Sequence, residues 1–265
     1  MAGRKLTVFE LLKKRHPDIE AKELYARILC GEIAVNGEKL RDPGARVSSS
    51  SSLAFIGRAK FVSRGGEKLE AALEALRLQA QGLVFIDAGS STGGFTDCLL
   101  QRGARLVYAV DVGRGLLSYR LRMDPRVVAR EGTNIMSVVP NLLDPPPEAA
   151  VADLSFRSIR RAASHLVKNT TLGWLLALIK PQFEWRPPES DFRGVVREGR
   201  RHAVILEALI DDLWLEGAFV SGCALSPLRG RKGNLEFFFL MTREQRKEKQ
   251  AVKAELAALI GEARP

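Results

Sequence analysis

The sequence is short of the residues that hold metals or staple small domains. It has three cysteines and three histidines in 265 residues. Cys30, Cys98 and Cys223 are odd in number and far apart, with no Cys-x-x-Cys pair. That argues against a disulfide framework and suits a reducing cytosol. No zinc site is expected, and His16, His165 and His202 read as surface or helix residues. Long apolar runs are missing too. The longest, Trp174 to Ile179, is six residues, far below the ~20 a helix needs to cross a bilayer. The opening stretch MAGRKLTVFELLKKRH lacks the apolar centre of a secretory signal, so none is expected. Gly-Lys-Ser/Thr and Gly-x-Gly-x-x-Gly are absent, which disfavours a phosphate loop and a nicotinamide cofactor. Acidic residues are the minority charge: 31 Asp and Glu face 41 Lys and Arg, a net of +10. With 46% apolar and 27% charged residues the chain can bury an ordinary core. The excess charge favours a polyanionic partner, nucleic acid or an anionic membrane surface, although it also suits plain solubility.

The charge is uneven. Residues 1–60 carry 12 Lys and Arg against 7 Asp and Glu, half of the whole excess. Leu6, Phe9, Leu11 and Leu12 fall close to helical spacing, and Leu24, Ile28 and Leu29 repeat it, with Gly31 as a helix stop. Ile33 to Val35 reads as a strand running into an Asn36-Gly37 hairpin turn. Asp42-Pro43-Gly44 is a second turn, and the run Ser48 to Ser52 reads as a flexible loop. The order of these pieces, and the words CGEIAVNGEKLRDPGARV, resemble the alpha-L RNA-binding module of small-subunit ribosomal protein four and some RNA-modifying enzymes. The resemblance implies a small α+β domain over 1–58 and RNA contacts at Lys5, Lys22, Arg27, Lys39 and Arg41. The second helix departs from the family, with Glu20-Ala21 where Ser-Arg is usual. The bland alternative is that these charges only solvate small helices.

From residue 83 onward strands and helices alternate. Strands are expected at 83–87, 106–110, 126–129, 149–153, 174–179, 218–225 and 235–240. That alternation predicts an α/β fold, a parallel sheet with helices on both faces, and a ligand at the carboxyl ends of the strands. The first strand ends at Asp87 and is followed by Gly89-Ser90-Ser91-Thr92-Gly93-Gly94-Phe95, whose glycines let backbone approach a ligand. Asp111, at the end of the second strand, can accept from both hydroxyls of a ribose. Asp87, the turn and Asp111 together resemble the S-adenosyl-L-methionine site of Rossmann-like methyltransferases. The donor pocket is then expected from Asp87, Gly89, Ser90, Ser91, Gly93, Gly94, Phe95 and Asp111, with Asn134 either at the adenine edge or a plain turn residue.

Four more charges stand at matching places. Lys68 lies on the helix before the first strand, Asp153 and Lys180 follow apolar strands, and Glu236 opens the last strand. Taken singly each could be a surface charge at a strand end. Together they look like the Lys-Asp-Lys-Glu tetrad of FtsJ-like RNA ribose 2′-O-methyltransferases. The words VSRGGEKLEAAL, DAGSSTGGFTDCLLQRGA, VADLSF, LIKPQFE and SPLRGRKGNLEFF are similar to the TlyA-type branch, whose members carry both hemolysin and rRNA-methyltransferase names. After Glu184 the branch usually has a Gly-rich loop, where this chain has Trp185 to Gly194 with two adjacent prolines.

The resemblance implies S-adenosyl-L-methionine as cofactor, ribosomal RNA within ribosomal subunits as partner, cytidine 2′-O-methylation as reaction, a cytoplasmic location and no metal. It divides the chain into a basic module at 1–58, a linker at 59–63, a methyltransferase domain at 64–245 and a C-terminal helix at 246–265. Arg64 joins the expected RNA contacts. Within the tetrad Lys180 is expected to act as general base, oriented by Asp153, with Glu236 holding Lys68 and the ribose. Three alternatives stay open: a non-catalytic RNA-binding or assembly factor, a hemolysin-like membrane protein, and a small-molecule methyltransferase.

Overall fold

A capping box opens the first helix. Thr7 Oγ1 accepts from the Glu10 amide at 3.1 Å, and Glu10 Oε2 accepts from the Thr7 amide at 2.8 Å. The computed structural model describes residues 5–57, 60–139, 143–155, 158–185, 194–196, 199–230 and 232–263. The N-terminal part comprises β1 (Lys5–Thr7), α1 (Val8–Arg15), α2 (Ala21–Leu29), β2 (Ile33–Val35), β3 (Glu38–Leu40), β4 (Arg46–Ser48) and β5 (Leu53–Phe55). Gly31, at φ +66°, ends α2 with the Gly31 amide on Ile28 O and the Glu32 amide on Arg27 O, which a residue with a Cβ would hold only under strain. Val8, Leu12, Leu24, Ile28, Ile33 and Val35 form a core of their own.

Two expectations change here. Leu6 is not helical: it pairs with Val47 across the β1–β4 ladder. The serine run is pinned, because the Arg15 guanidinium donates to Ser49 O at 2.7 Å and Ser51 O at 2.8 Å, and Asn36 bonds Ser52 on both sides. Neither contact is visible in local pattern, since each joins residues far apart in the chain.

The larger part continues with α3 (Arg64–Ala75), β6 (Val84–Ala88), α4 (Gly94–Gln101), β7 (Leu106–Asp111), α5 (Tyr119–Arg122), β8 (Val127–Glu131), β9 (Ala149–Ala152) and α6 (Ala162–Lys168). Then come β10 (Trp174–Ile179), α7 (Pro181–Glu184), α8 (Gly199–Leu215), β11 (Phe219–Leu225), β12 (Phe237–Thr242) and α9 (Lys249–Glu262). The seven-stranded sheet has the order β11-β12-β10-β9-β6-β7-β8. β6, β9 and β10 are buried throughout, as expected for strands covered on both faces. The chain runs outward from β6 to β8 and then returns to the other side of β6 as β9, so a topological switch lies between β6 and β9.

The sheet is not wholly parallel. β12 runs antiparallel to both β10 and β11, with Phe237 opposite Ile179. The inversion brings the start of β12 beside the end of β10. α9 is part of the main core, where Val252, Leu256 and Ile260 are buried. Among the described residues no helix is long and apolar enough to cross a membrane.

Candidate active site

Strand register assembles the site. Ala88 pairs with Ala152, Ala152 with Ala177, and Ile179 with Phe237. The residues just beyond those ends, Gly89, Asp153, Lys180 and Glu236, therefore share one edge of the sheet. α3 packs on α4 and supplies Lys68, which is 8% exposed. Lys68 Nζ meets Glu236 Oε2 at 2.5 Å, and Glu236 is 4% exposed. Lys180 Nζ forms an ion pair with Asp153 Oδ1, donates to Ser155 Oγ at 3.1 Å and lies 3.4 Å from Leu154 O. Each lysine thus has its own carboxylate, which is the arrangement a buried charge needs. All four side chains line a single cleft of about 560 Å³, together with Arg64, Ser90, Gly94 and Phe95.

A second cavity of about 1120 Å³ adjoins it, lined by Asp111, Asn134, Val112, Leu116 and Met136 among others. The two cavities share Gly89, Ser91, Asp153 and Ser155. Asp111 accepts from the Ser91 amide at 2.8 Å and the Gly113 amide at 2.7 Å, one on each carboxylate oxygen. Asn134 both lines the cavity and caps the short 3₁₀ turn Ile135–Ser137, accepting from the Met136 amide at 3.0 Å.

The turn at 89–94 is built for close approach. A Cβ on Gly89 would come 2.6 Å from Asp153 O, and one on Gly94 would come 3.0 Å from the Gly66 amide nitrogen. Ser90 is buried and its Oγ has no hydrogen-bond partner among the described residues. Gly93, at φ +94°, caps α4 and lies against Leu117 and Leu121, lining neither cavity.

Asp87 does not reach either cavity. It is fully buried in β6, where Thr96 Oγ1 donates to its Oδ2 at 2.6 Å and Oδ1 has no hydrogen-bond partner among the described residues. Burial pushes its carboxyl up from 3.8 to about 7, partly offset by Thr96 and reinforced by the charges of Asp153 and Asp111.

The basic residues separate into groups. Arg64 is exposed at the rim of the four-charge cleft. Lys39 and Arg41 line a cavity between the N-terminal part and α5. Lys5 and Lys22 are exposed elsewhere, and Arg27 pairs with Glu23 at 2.5 Å while lying 5.1 Å over the Phe55 ring. Local pattern missed Ser155 and Asn234. Asn234 clamps residues 194–196 to the β12 approach through Val196 N and Gly194 O, both at 2.9 Å. Both stand inside the quoted words VADLSF and GNLEFF, which was the available signal. Much of the segment after Trp185, from 186 to 193, lies outside the described residues.

Comparison with known proteins supplies the family. Residues 61–243 match the FtsJ-like methyltransferase family. The chain belongs to that family. YqxC of Bacillus subtilis, whose name assigns it provisionally as an rRNA methyltransferase, is 38% identical over 240 residues, covering 89% of this chain and 85% of that protein. The 16S/23S rRNA (cytidine-2′-O)-methyltransferase TlyA of Mycobacterium tuberculosis is 37% identical over 211 residues, 78% of this chain and 79% of its own. A solved structure from Streptococcus thermophilus, provisionally called a hemolysin, is 34% identical with a TM-score of 0.71 and covers 97% of this chain and 96% of that one. Within the FtsJ-like family the four-charge cleft is the candidate catalytic centre, and the larger adjoining cavity the candidate place for a methyl donor.

Proposed function

We propose that this protein transfers a methyl group from S-adenosyl-L-methionine to the ribose 2′-hydroxyl of a cytidine in ribosomal RNA, acting on ribosomal subunits in the cytoplasm. One observation carries the reading: Lys68, Asp153, Lys180 and Glu236 line the cleft that meets the Asp111 cavity at Gly89 and Ser91. The nucleotide and the RNA follow the printed name of the TlyA relative.

The residues present fit the donor. The bare Gly89, the unpartnered Ser90 Oγ and the cavity-lining Asp111 leave a cradle with polar groups to spare. Gly89, Ser90, Ser91, Gly93, Gly94 and Phe95 would form the turn that receives it. Asp111 would accept from its ribose hydroxyls, using lone pairs beyond those given to Ser91 and Gly113. Asn134 would meet its base, and Asp87 would brace the turn from beneath. When bound, the donor supplies a sulfonium-activated methyl, so no metal is required.

The chain's own task is alignment and removal of one proton. Lys180 takes the 2′-hydroxyl proton as the neutral amine, after its ammonium proton has passed to solvent, with Asp153 and Ser155 fixing its Nζ. Glu236 holds Lys68 beside the acceptor ribose. The N-terminal module anchors the RNA through phosphates. The test is radiolabelled methyl transfer to purified ribosomal subunits, followed by mapping of the modified position. Lys180→Ala is expected to abolish transfer while calorimetry still finds donor binding; substantial residual turnover would overturn the proton-acceptor role. Absence of transfer by the unaltered protein to any ribosomal substrate would overturn the function.

A further inference from the structure

A third cavity, of about 320 Å³, lies between the N-terminal part and the methyltransferase domain. The N-terminal part contributes Lys39 and Arg41, and α5 contributes Arg120 and Arg122, against one carboxylate, Glu32. Lys39 and Arg41 lie across Gly31, where a Cβ would come 2.5 Å from Lys39 Cε and 2.8 Å from Arg41 Nε. Glycine there lets both cations rest on the end of α2. Neither has a carboxylate partner among the described residues. On the opposite side, Arg120 is braced by an ion pair with buried Asp97. Arg122 is braced by Glu131 at 3.7 Å and by Leu117 O at 3.1 Å. Two cations with no carboxylate partner among the described residues thus face two oriented guanidiniums, a pattern suited to a polyanionic chain.

The cavity neighbours the catalytic cleft along the chain. Phe61 and Val62 line it, and the next residues, Ser63, Arg64 and Gly65, line the cleft. Ser118 lines it as well, and the Ser118 amide donates to the carbonyl of the cleft residue Thr92 at 3.2 Å.

Resting on the function proposed above, we propose that the phosphodiester chain flanking the target nucleotide lies in this cavity, gripped by Lys39 and Arg41 on one side and Arg120 and Arg122 on the other. It then passes Arg64 to reach the Lys68–Glu236 and Lys180–Asp153 pairs. The methyltransferase domain therefore supplies half of the RNA grip, and α5 sets which nucleotide reaches the cleft by fixing its distance from the held phosphates.

The test is fluorescence anisotropy of the full-length protein with a labelled single-stranded RNA of about 12 nucleotides, titrated at several salt concentrations. Each phosphate contact on a single strand adds about 0.7 to the slope of log affinity against log salt. Arg41→Gln and Arg122→Gln are each expected to lower the slope by about that amount and weaken binding several-fold. Arg122→Lys keeps the charge and should recover the slope. Arg246→Gln, an exposed arginine outside all three cavities, should match the unaltered protein. Thermal unfolding of each variant checks that the fold is intact. If Arg122→Gln keeps full affinity and slope while Arg41→Gln loses both, the N-terminal module grips RNA alone and the inference fails, with the enzymatic reading untouched. If the unaltered protein shows no salt-dependent binding, the proposed grip fails, while the enzymatic reading stands or falls on methyl transfer to ribosomal subunits.

Discussion

Asp87 allows a test of the donor turn that needs no substrate. Its carboxyl is wholly buried beneath the turn, and burial raises it from 3.8 to about 7. The folded protein therefore keeps this proton up to about pH 7, whereas the unfolded chain releases it near pH 4. Between those values the folded state binds more protons, so this group makes stability fall as pH rises and then level off above about 7. A shift of that size corresponds to roughly 4 kcal/mol at full development. Asp87→Asn removes the ionisation and keeps an oxygen for Thr96. In paired urea unfolding series, other titrations cancel in the difference between variant and unaltered protein. The advantage of Asp87→Asn is expected to grow by roughly 2.5 kcal/mol from pH 5 to pH 8. A difference that stays constant across that range would refute the buried-carboxyl account.

Other outcomes follow from the same packing. Glu236→Gln leaves the buried Lys68 cation without its counter-charge and should cost about 3–5 kcal/mol in chemical denaturation. Lys68→Met combined with Glu236→Gln should cost less than the two single changes added; strict additivity would mean the pair is not coupled. Gly93→Ala puts a Cβ 2.2 Å from Leu121 Cδ1 at φ +94°, so it should lower stability by about 1–3 kcal/mol and weaken donor binding in calorimetry. Arg15→Ala should loosen the serine run, read as faster amide exchange at 49–52, because two carbonyl contacts are lost.

The strand ends were readable because each buried run stops where a charge or glycine begins. Trp174–Ile179 is apolar throughout and Lys180 cannot continue it without a partner. The donor turn was readable because glycines so closely spaced after a buried strand have few structural uses other than close approach. Lys39 and Arg41 could be named as RNA contacts, yet nothing local revealed that they face α5. Asp87 looked like a pocket residue because it ends a strand, but the turn folds over it and puts it in the interior. Leu6 matched a helical repeat and went into a strand, since the β4 ladder offered its backbone partners.

By itself, then, the chain's pattern of apolar runs and turns determined the α/β class and the strand ends and set Asp153 and Lys180 directly after apolar strands, while the charged quartet as a set came from the resemblance to FtsJ-like methyltransferases. Pairing partners and direction belong to the tertiary structure. β12 had to run antiparallel against β10 for Glu236 to come beside Lys180, and α3 had to settle on α4 for Lys68 to reach Glu236. The reason is physical: periodicity reports which face of a segment is apolar, while the neighbour that covers that face is chosen by contacts from distant parts of the chain.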